Sequence, residues 1–254
     1  MDAYLRAFWL PKEGSTEGEY EDAFFPCRDR SYPIGKRLRF AIADGATEAS
    51  FSKLWAQLLV LAFVRRTLGL PLATEQLKPL QARWKNKVGE KSLSWYAEEK
   101  MACGAFAALL GLEFSEEHGE AGTVRKWQAT AAGDCCLVQV RANAIINTFP
   151  VADSSAFSNR PDLLASLPAL NGPENELVKT VQGTWGCDDT FFLMTDALAC
   201  WFFRDYENGN RPWVCLTNID NQELSGSFTE FVSDLRQNNE MKNDDVTLMR
   251  IDIR

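Results

Sequence analysis

The sequence FAIADGA, residues 40–46, joins an apolar run to an Asp-Gly pair. From Leu38 the residues first alternate between apolar and polar types and are then apolar throughout, which predicts a strand buried on both faces. Asp44 follows directly after this run. We therefore expect its carboxylate at the end of a strand, where side chains from distant parts of the sequence can meet beside a rigid sheet.

Acidic residues also flank four further apolar runs. These are Glu21 and Asp22 before AFF (23–25), Asp134 within TAAGDCC (130–136), Asp196 after FFLMT (191–195), and Asp244 and Asp245 before VTLM (246–249). Carboxylates that converge repel one another unless cations neutralise them. Oxygen ligands without His or Cys suit Mg²⁺ or Mn²⁺. The ordered set favours a metal site, although any one of these residues alone is more typical of a turn or cap.

The composition limits the classes of function. The 254 residues include 27 Lys+Arg and 35 Asp+Glu, a net charge of −8, and 46% are hydrophobic. This is the composition of a folded globular chain, and the acidic balance disfavours nucleic acid as a partner. No apolar run approaches the roughly 20 residues that cross a bilayer, and no secretory cleavage site follows the N-terminus. We expect a cytoplasmic protein without a nucleic-acid or membrane partner.

The periodicity alternates between helices and strands along the chain. Helical spacing covers residues 51–66, 76–100 and 221–237 and begins again at Ala197, whereas residues 105–149 form an antiparallel meander and 246–253 a last strand. This pattern predicts an α+β fold with helices covering sheets, in one domain spanning 1–254. The Ser-, Asn- and Pro-containing segment 150–176 is expected on the surface, with a short helix at Pro161–Leu167, and is the predicted substrate-selecting element.

In this order the motifs resemble the metal-dependent protein phosphatase family, the PP2C-like family, over nearly the whole chain. The matching segments are Glu21-Asp22, FAIADGA (40–46), CGAFAALL (103–110), AGDC (132–135), FFLMTDA (191–197) and DDVTL (244–248). Each segment alone is weak, but the ordered set is fairly specific. The resemblance implies two packed antiparallel β-sheets flanked by helices, in a divergent member of the bacterial type.

The resemblance also implies a metal centre and a reaction. The implied metal contacts are Asp44 as a bridge between two Mg²⁺ or Mn²⁺ ions, Gly45 through its carbonyl, Asp196 and Asp244 on the other ion, Glu21 through water, and Asp134 at a looser third site. Asp44, Asp196 and Asp244 would be the catalytic residues. A hydroxide between the two ions would attack a phosphoserine or phosphothreonine in line. The implied partner is a phosphorylated protein, in a system that includes a Ser/Thr kinase.

Two departures from the family pattern keep an alternative open. Many members carry an Arg where Glu17 stands, and many eukaryotic members carry a His where Ala46 stands. A catalytically weak module that binds a phosphorylated partner or regulator is therefore the second hypothesis. An unrelated α+β enzyme with coincidental acidic strand ends is the third. The basic residues that follow, Arg28, Arg30, Lys36 and Arg37, are candidates for a phosphate clamp, although a solvated basic loop is the more typical role for each.

Overall fold

A computed structural model describes residues 1–35, 37–46, 51–90, 102–119, 122–157, 161–173, 177–219 and 225–254. Its twelve strands are β1 Asp2–Leu10, β2 Ala23–Phe25, β3 Arg30–Pro33, β4 Leu38–Gly45, β5 Phe106–Gly119, β6 Gly122–Ala132, β7 Cys136–Arg141, β8 Ala144–Phe149, β9 Leu164–Ala165, β10 Lys179–Thr184, β11 Thr190–Met194 and β12 Val246–Ile253. Its α-helices are α1 Ser52–Val64, α2 Lys78–Gly89, α3 Asp196–Glu207, α4 Pro212–Asn218 and α5 Ser225–Gln237.

The strands form two six-stranded antiparallel sheets. The first has the order β3-β1-β12-β11-β7-β8, and the second has the order β10-β6-β5-β4-β2 with β9 paired to β5. One apolar layer lies between the sheets and includes Leu5, Phe40 and Leu193. The predicted α+β class, with two packed antiparallel sheets flanked by helices, is confirmed.

Helices cover the outer face of each sheet. Trp55 of α1 and Trp84 of α2 pack with Ala41 on the second sheet. Phe202 of α3 packs with Phe192 and other residues of the first sheet, in a cluster that α4 and α5 complete. Because both faces of β4 and β11 are covered, their central residues, 40–43 and 191–194, are apolar without alternation.

The pleat of β4 determines where Asp44 points. Phe40 and Ile42 belong to the layer between the sheets, whereas Ala41 and Ala43 face α1. Successive side chains of a strand alternate between its two faces, so Asp44 lies on the same face as Phe40 and Ile42. Its carboxylate therefore stands at the end of the layer between the sheets.

One local prediction differs from the structure, and two others extend beyond the described residues. Pro161–Leu167 is not helical, because Leu164 and Ala165 instead form β9 on the edge of β5. The spacing at 76–100 gives a helix only over Lys78–Gly89, and its remainder at 91–100 lies outside the described residues. The predicted helix 221–237 is present from Ser225 onward, with 221–224 likewise outside them.

A helix crosses a bilayer only if it is both long enough and apolar enough. Within the described ranges, no helix combines the length and the apolar character that a membrane span requires.

Candidate metal centre

Four predicted ligands meet at one end of the layer between the sheets. Asp44 is the penultimate residue of β4, Asp196 is the first residue of α3, and Asp244 lies two residues before β12. Asp134 occupies the turn between β6 and β7. The charges of Asp196, Asp134 and Asp244 all act on the Asp44 carboxyl, so residues up to 200 positions apart share one electrostatic environment.

These carboxyl groups are unfavourable as anions without a cation nearby. Desolvation raises the pKa of Asp44 well above its usual range, and the charges of Asp22 and Asp196 add to the effect, although the side chain stays partly exposed. Burial raises the pKa of Asp134 to about 7, with Asp196 as the next contributor. Burial and then the charge of Asp244 raise the pKa of Asp196. A divalent cation would relieve this repulsion.

Asp22 belongs to the same cluster, although the resemblance did not give it a metal contact. Its side chain is 3% exposed, and Oδ2 accepts a hydrogen bond of 2.7 Å from Thr247 Oγ1. Its other oxygen, Oδ1, is buried without any hydrogen-bond partner. A buried carboxylate oxygen in this condition is costly, and a cation or its bound water would satisfy it. The sequence signals for Asp22 were its place before the apolar run of β2 and the Glu21-Asp22 pair among the segments of the resemblance.

Glu21 lies beside the cluster and is held by two neighbours. Its Oε1 accepts a 2.6 Å hydrogen bond from Ser52 Oγ, and its Oε2 lies 3.5 Å from Lys12 Nζ. These contacts fix the carboxylate next to the beginning of α1. The predicted contact of Glu21 with a metal through water stays a prediction.

Gly45 allows three chain segments to approach one another closely. A Cβ atom at this position would lie 2.7 Å from the Glu21 carbonyl oxygen and 3.1 Å from the Cβ of Ser52. Real Cβ atoms do not tolerate the first of these distances, so only glycine fits here. The close approach leaves the backbone of Gly45 beside Asp44, where its carbonyl is the predicted metal ligand.

The adjacent residues Asp244 and Asp245 have different surroundings. Asp245 is buried, and its carboxylate accepts hydrogen bonds from the backbone N–H groups of Lys12 (2.8 Å) and Glu21 (2.6 Å). It therefore ties the start of β12 to the segment that carries Glu21 and Asp22. Asp244 is left to face the cluster, which agrees with its predicted place in the site.

The structure places three of the candidate phosphate-clamp residues away from this cluster. Arg28 and Arg30 lie at β3, where Arg30 is opposite Leu5 in the middle of β1 and stacks over Tyr32 at 4.5 Å. Arg37 precedes β4, at the opposite end of that strand from Asp44, and pairs with Glu113 at 3.6 Å. Lys36 lies outside the described residues.

The donor set, carboxylates without His or Cys, has the chemistry that Mg²⁺ or Mn²⁺ prefers. Across the described part of the chain, no group of three or more His, Cys, Asp or Glu side chains is placed so that it could hold a metal ion. Mg²⁺ keeps several water ligands and commonly binds through only one or two carboxylates. The orphaned Asp22 oxygen and the mutual repulsion of the other aspartates are consistent with such a site.

The predicted substrate-selecting segment borders the centre. Leu163 lies next to the turn that carries Asp134, because a Cβ at Gly133 would be 3.1 Å from its Cδ2 atom. The segment is anchored to β5 by the hydrogen bond from Ala105 N to Ser166 Oγ, 2.8 Å. Its role in selecting substrates remains a prediction.

Comparison with known proteins identifies the fold. No family model and no curated protein matches the chain. The photosystem II phosphatase PBCP is similar over 99% of both chains, with 13% identity and a TM-score of 0.59. The Mycobacterium tuberculosis serine/threonine phosphatase PstP/Ppp is similar over 100% of both, with 13% identity and a TM-score of 0.58. The chain therefore has the PP2C-like fold, and the resemblance read from its motifs is confirmed at that level.

A third structure contains metal. The catalytic domain of the serine/threonine protein phosphatase PstP in complex with 2 manganese ions covers 99% of this chain and 100% of its own, with 14% identity and a TM-score of 0.53. At this identity the similarity concerns the fold.

Proposed function

We propose that this chain, as one domain over 1–254, is a Mg²⁺- or Mn²⁺-dependent serine/threonine protein phosphatase that hydrolyses phosphomonoesters of proteins. The observation that carries the proposal is the convergence of Asp22, Asp44, Asp134, Asp196 and Asp244 at one end of the layer between the sheets. The structural relatives named as serine/threonine phosphatases, one of them with two manganese ions, support it. The proposed partner is a phosphorylated protein, within a system that includes a Ser/Thr kinase.

The proposed ligands are the six residues that the motifs indicate, together with Asp22. Asp44 would bridge two ions, with the Gly45 carbonyl on one ion and Asp196 and Asp244 on the other. Glu21 and Asp22 would bind water of the same centre, and Asp134 would serve a looser third ion. When bound, the ions supply an activated water and positive charge for the phosphoryl oxygens.

The chain's own groups prepare this chemistry. Thr247 donates a hydrogen bond to the Asp22 carboxylate, and the buried Tyr20 hydroxyl bonds to Thr247 and holds it in place. Ser52 and Lys12 fix Glu21 on the neighbouring side. Asp44 and Asp196 stay partly exposed, so a phosphate group can reach the centre from solvent. The carboxylates attract cations, and the net negative charge of the protein is no obstacle to a phosphate group once those cations are bound.

The test measures whether the purified full chain hydrolyses p-nitrophenyl phosphate and phosphoserine and phosphothreonine peptides. Each substrate is tested with Mn²⁺, with Mg²⁺ and with EDTA. We expect turnover only with a divalent ion, and loss of at least about a hundredfold in Asp44→Asn and Asp196→Asn. Asp234→Asn, at an exposed position of α5, is the matched control and should keep full activity. Inertness towards all these substrates with both metals from pH 6 to 9 would refute the proposal.

A second candidate function is a phosphatase-shaped module that binds a phosphorylated partner or regulator without turning it over. Two positions favour it. Glu17 is exposed on a 3₁₀ turn and puts negative charge where a phosphate clamp is expected, and Ala46 cannot donate a proton to a leaving group. Calorimetry that shows Mn²⁺ and phosphopeptide binding together with absent turnover would favour this function over the first.

A further inference from the structure

A lysine ammonium lies between two of the proposed metal ligands. Lys242 Nζ is 2.6 Å from Asp244 Oδ2 and 3.8 Å from Asp196 Oδ2. Lysine is ordinarily protonated at neutral pH, so these contacts place a full positive charge beside both carboxylates. The protein therefore carries a positive charge of its own where the proposed divalent ion would be bound.

The backbone that carries Lys242 is fixed on both sides. Met241 before it is buried in the apolar cluster beneath α5. Asn243 after it accepts a 2.7 Å hydrogen bond from Glu13 N and donates one of 3.3 Å to Glu13 O. Arg236 of α5 donates to the Asp244 carbonyl. These contacts hold the backbone of Lys242 beside the cluster.

The side chain itself is free to leave. It is 64% exposed, whereas those of Asp196 and Asp244 are only 22% and 21% exposed. Lysine has a flexible four-carbon stem and a compact, strongly hydrated charge, so it can turn into solvent without disturbing the loop. The two carboxylates, in contrast, are mostly buried.

We propose that Lys242 is an internal counter-ion of the candidate metal centre that competes with divalent cations for Asp196 and Asp244. This inference rests on the proposed function, because it takes these two aspartates as metal ligands. Without metal, Lys242 would partly neutralise the cluster and stabilise the fold. Metal binding would displace the ammonium into solvent, and the protein would thereby bind Mn²⁺ more weakly than its carboxylates alone allow.

The test is calorimetric titration of the metal-free full chain with MnCl₂. Lys242→Met keeps the length of the side chain and removes its charge, and we expect about three- to tenfold tighter Mn²⁺ binding, since partly exposed ion pairs are modest in strength. Lys242→Arg keeps the charge and should stay within about twofold of the parent. Lys78→Met is the matched control, because Lys78 forms an exposed pair with Glu75 on α2 and should leave Mn²⁺ affinity unchanged.

Thermal unfolding provides a second readout that does not depend on turnover. We expect metal-free Lys242→Met to melt at a lower temperature than the parent, and saturating Mn²⁺ to raise its melting temperature by more than it raises the parent's. Unchanged or weaker Mn²⁺ binding by Lys242→Met, in a parent that binds Mn²⁺, would overturn this inference alone. Failure of both proteins to bind any divalent ion would overturn the proposed function and this inference together.

Discussion

Thr247 Oγ1 of β12 donates a 2.7 Å hydrogen bond to Asp22 Oδ2, across 225 residues of sequence. The buried hydroxyl of Tyr20 bonds to the same threonine oxygen. This small network joins the last strand to the segment before β2. It holds one acidic group of the candidate centre in place although that group's second oxygen has no hydrogen-bond partner.

Replacing Thr247 with valine should expose the importance of this network. Val keeps the shape of the side chain but removes the hydroxyl that bonds to both Asp22 and Tyr20, so we expect a loss of about 1–3 kcal/mol in the free energy of unfolding. Urea denaturation of the metal-free protein measures it. Thr190→Val removes a 2.9 Å bond to Asp252 that is only partly buried, and should cost less. Equal losses in the two variants would contradict a special role for Thr247.

Asp44→Asn should stabilise the metal-free protein while abolishing its response to metal. The substitution removes one charge from a group of carboxylates that repel one another, and it also removes the proposed bridging ligand. We therefore expect a higher melting temperature without metal and no further rise with Mn²⁺. Asp234→Asn should change neither quantity. A lower melting temperature combined with an intact Mn²⁺ response would show that Asp44 has a structural role instead.

The pH dependence of stability should report the raised pKa of Asp134. The pKa rises from 3.8 to about 7 on folding, so between these values the folded protein holds a proton that the unfolded chain has lost. The contribution of Asp134 to the free energy of unfolding is therefore fully present below about pH 4. It is lost as the pH rises to about 7, by up to about 1.4 kcal/mol per pH unit. Asp134→Asn has no such dependence.

We expect the difference in unfolding free energy between Asp134→Asn and the parent to grow in favour of the variant from pH 5 to pH 8, measured without metal. Saturating Mn²⁺ should reduce this trend, because the cation neutralises the cluster. A difference that stays constant over this range would contradict the raised pKa.

Gly45→Ala should disturb both the fold and the centre. The added Cβ would lie 2.7 Å from the Glu21 carbonyl oxygen, and backbone atoms cannot yield as a flexible side chain can. Overpacking of this kind costs about 1–3 kcal/mol. Gly35→Ala is the control, because nothing lies within 4 Å of the position of its Cβ. Unfolding titrations and Mn²⁺ affinity, measured on both variants, test this prediction. A Gly45→Ala protein with unchanged stability and unchanged Mn²⁺ affinity would contradict it.

The main features of the fold follow from the sequence because they depend on local patterns. The runs at Phe40–Ala43 and 191–194 are apolar throughout, and strands covered on both faces require that. Asp44 follows the first run directly and Asp196 follows the second after Thr195, so their place at the sheet ends could be inferred. In contrast, β3 at Arg30–Pro33 has one buried residue in four and α4 at Pro212–Asn218 has only seven residues, too little for a periodic signal.

The parts of the site that could not be predicted depend on tertiary contacts. Whether Glu21 or Asp22 faces the cluster is decided by Ser52, Lys12 and Thr247, which bind the two carboxylates from other elements. Adjacent acidic residues in a loop carry no periodicity that distinguishes them. The position of Lys242 could not be predicted for the same reason. Its contact with Asp196 joins the segment between α5 and β12 to the beginning of α3.

Anomalous scattering from crystals soaked in Mn²⁺ tests the central claim most directly. Our proposal predicts anomalous peaks within direct ligand distance of Asp44, Asp196 and Asp244, with Asp44 shared between two of them and Lys242 turned away. A map in which Mn²⁺ binds elsewhere, or in which these aspartates contact no ion at saturating Mn²⁺, would contradict it.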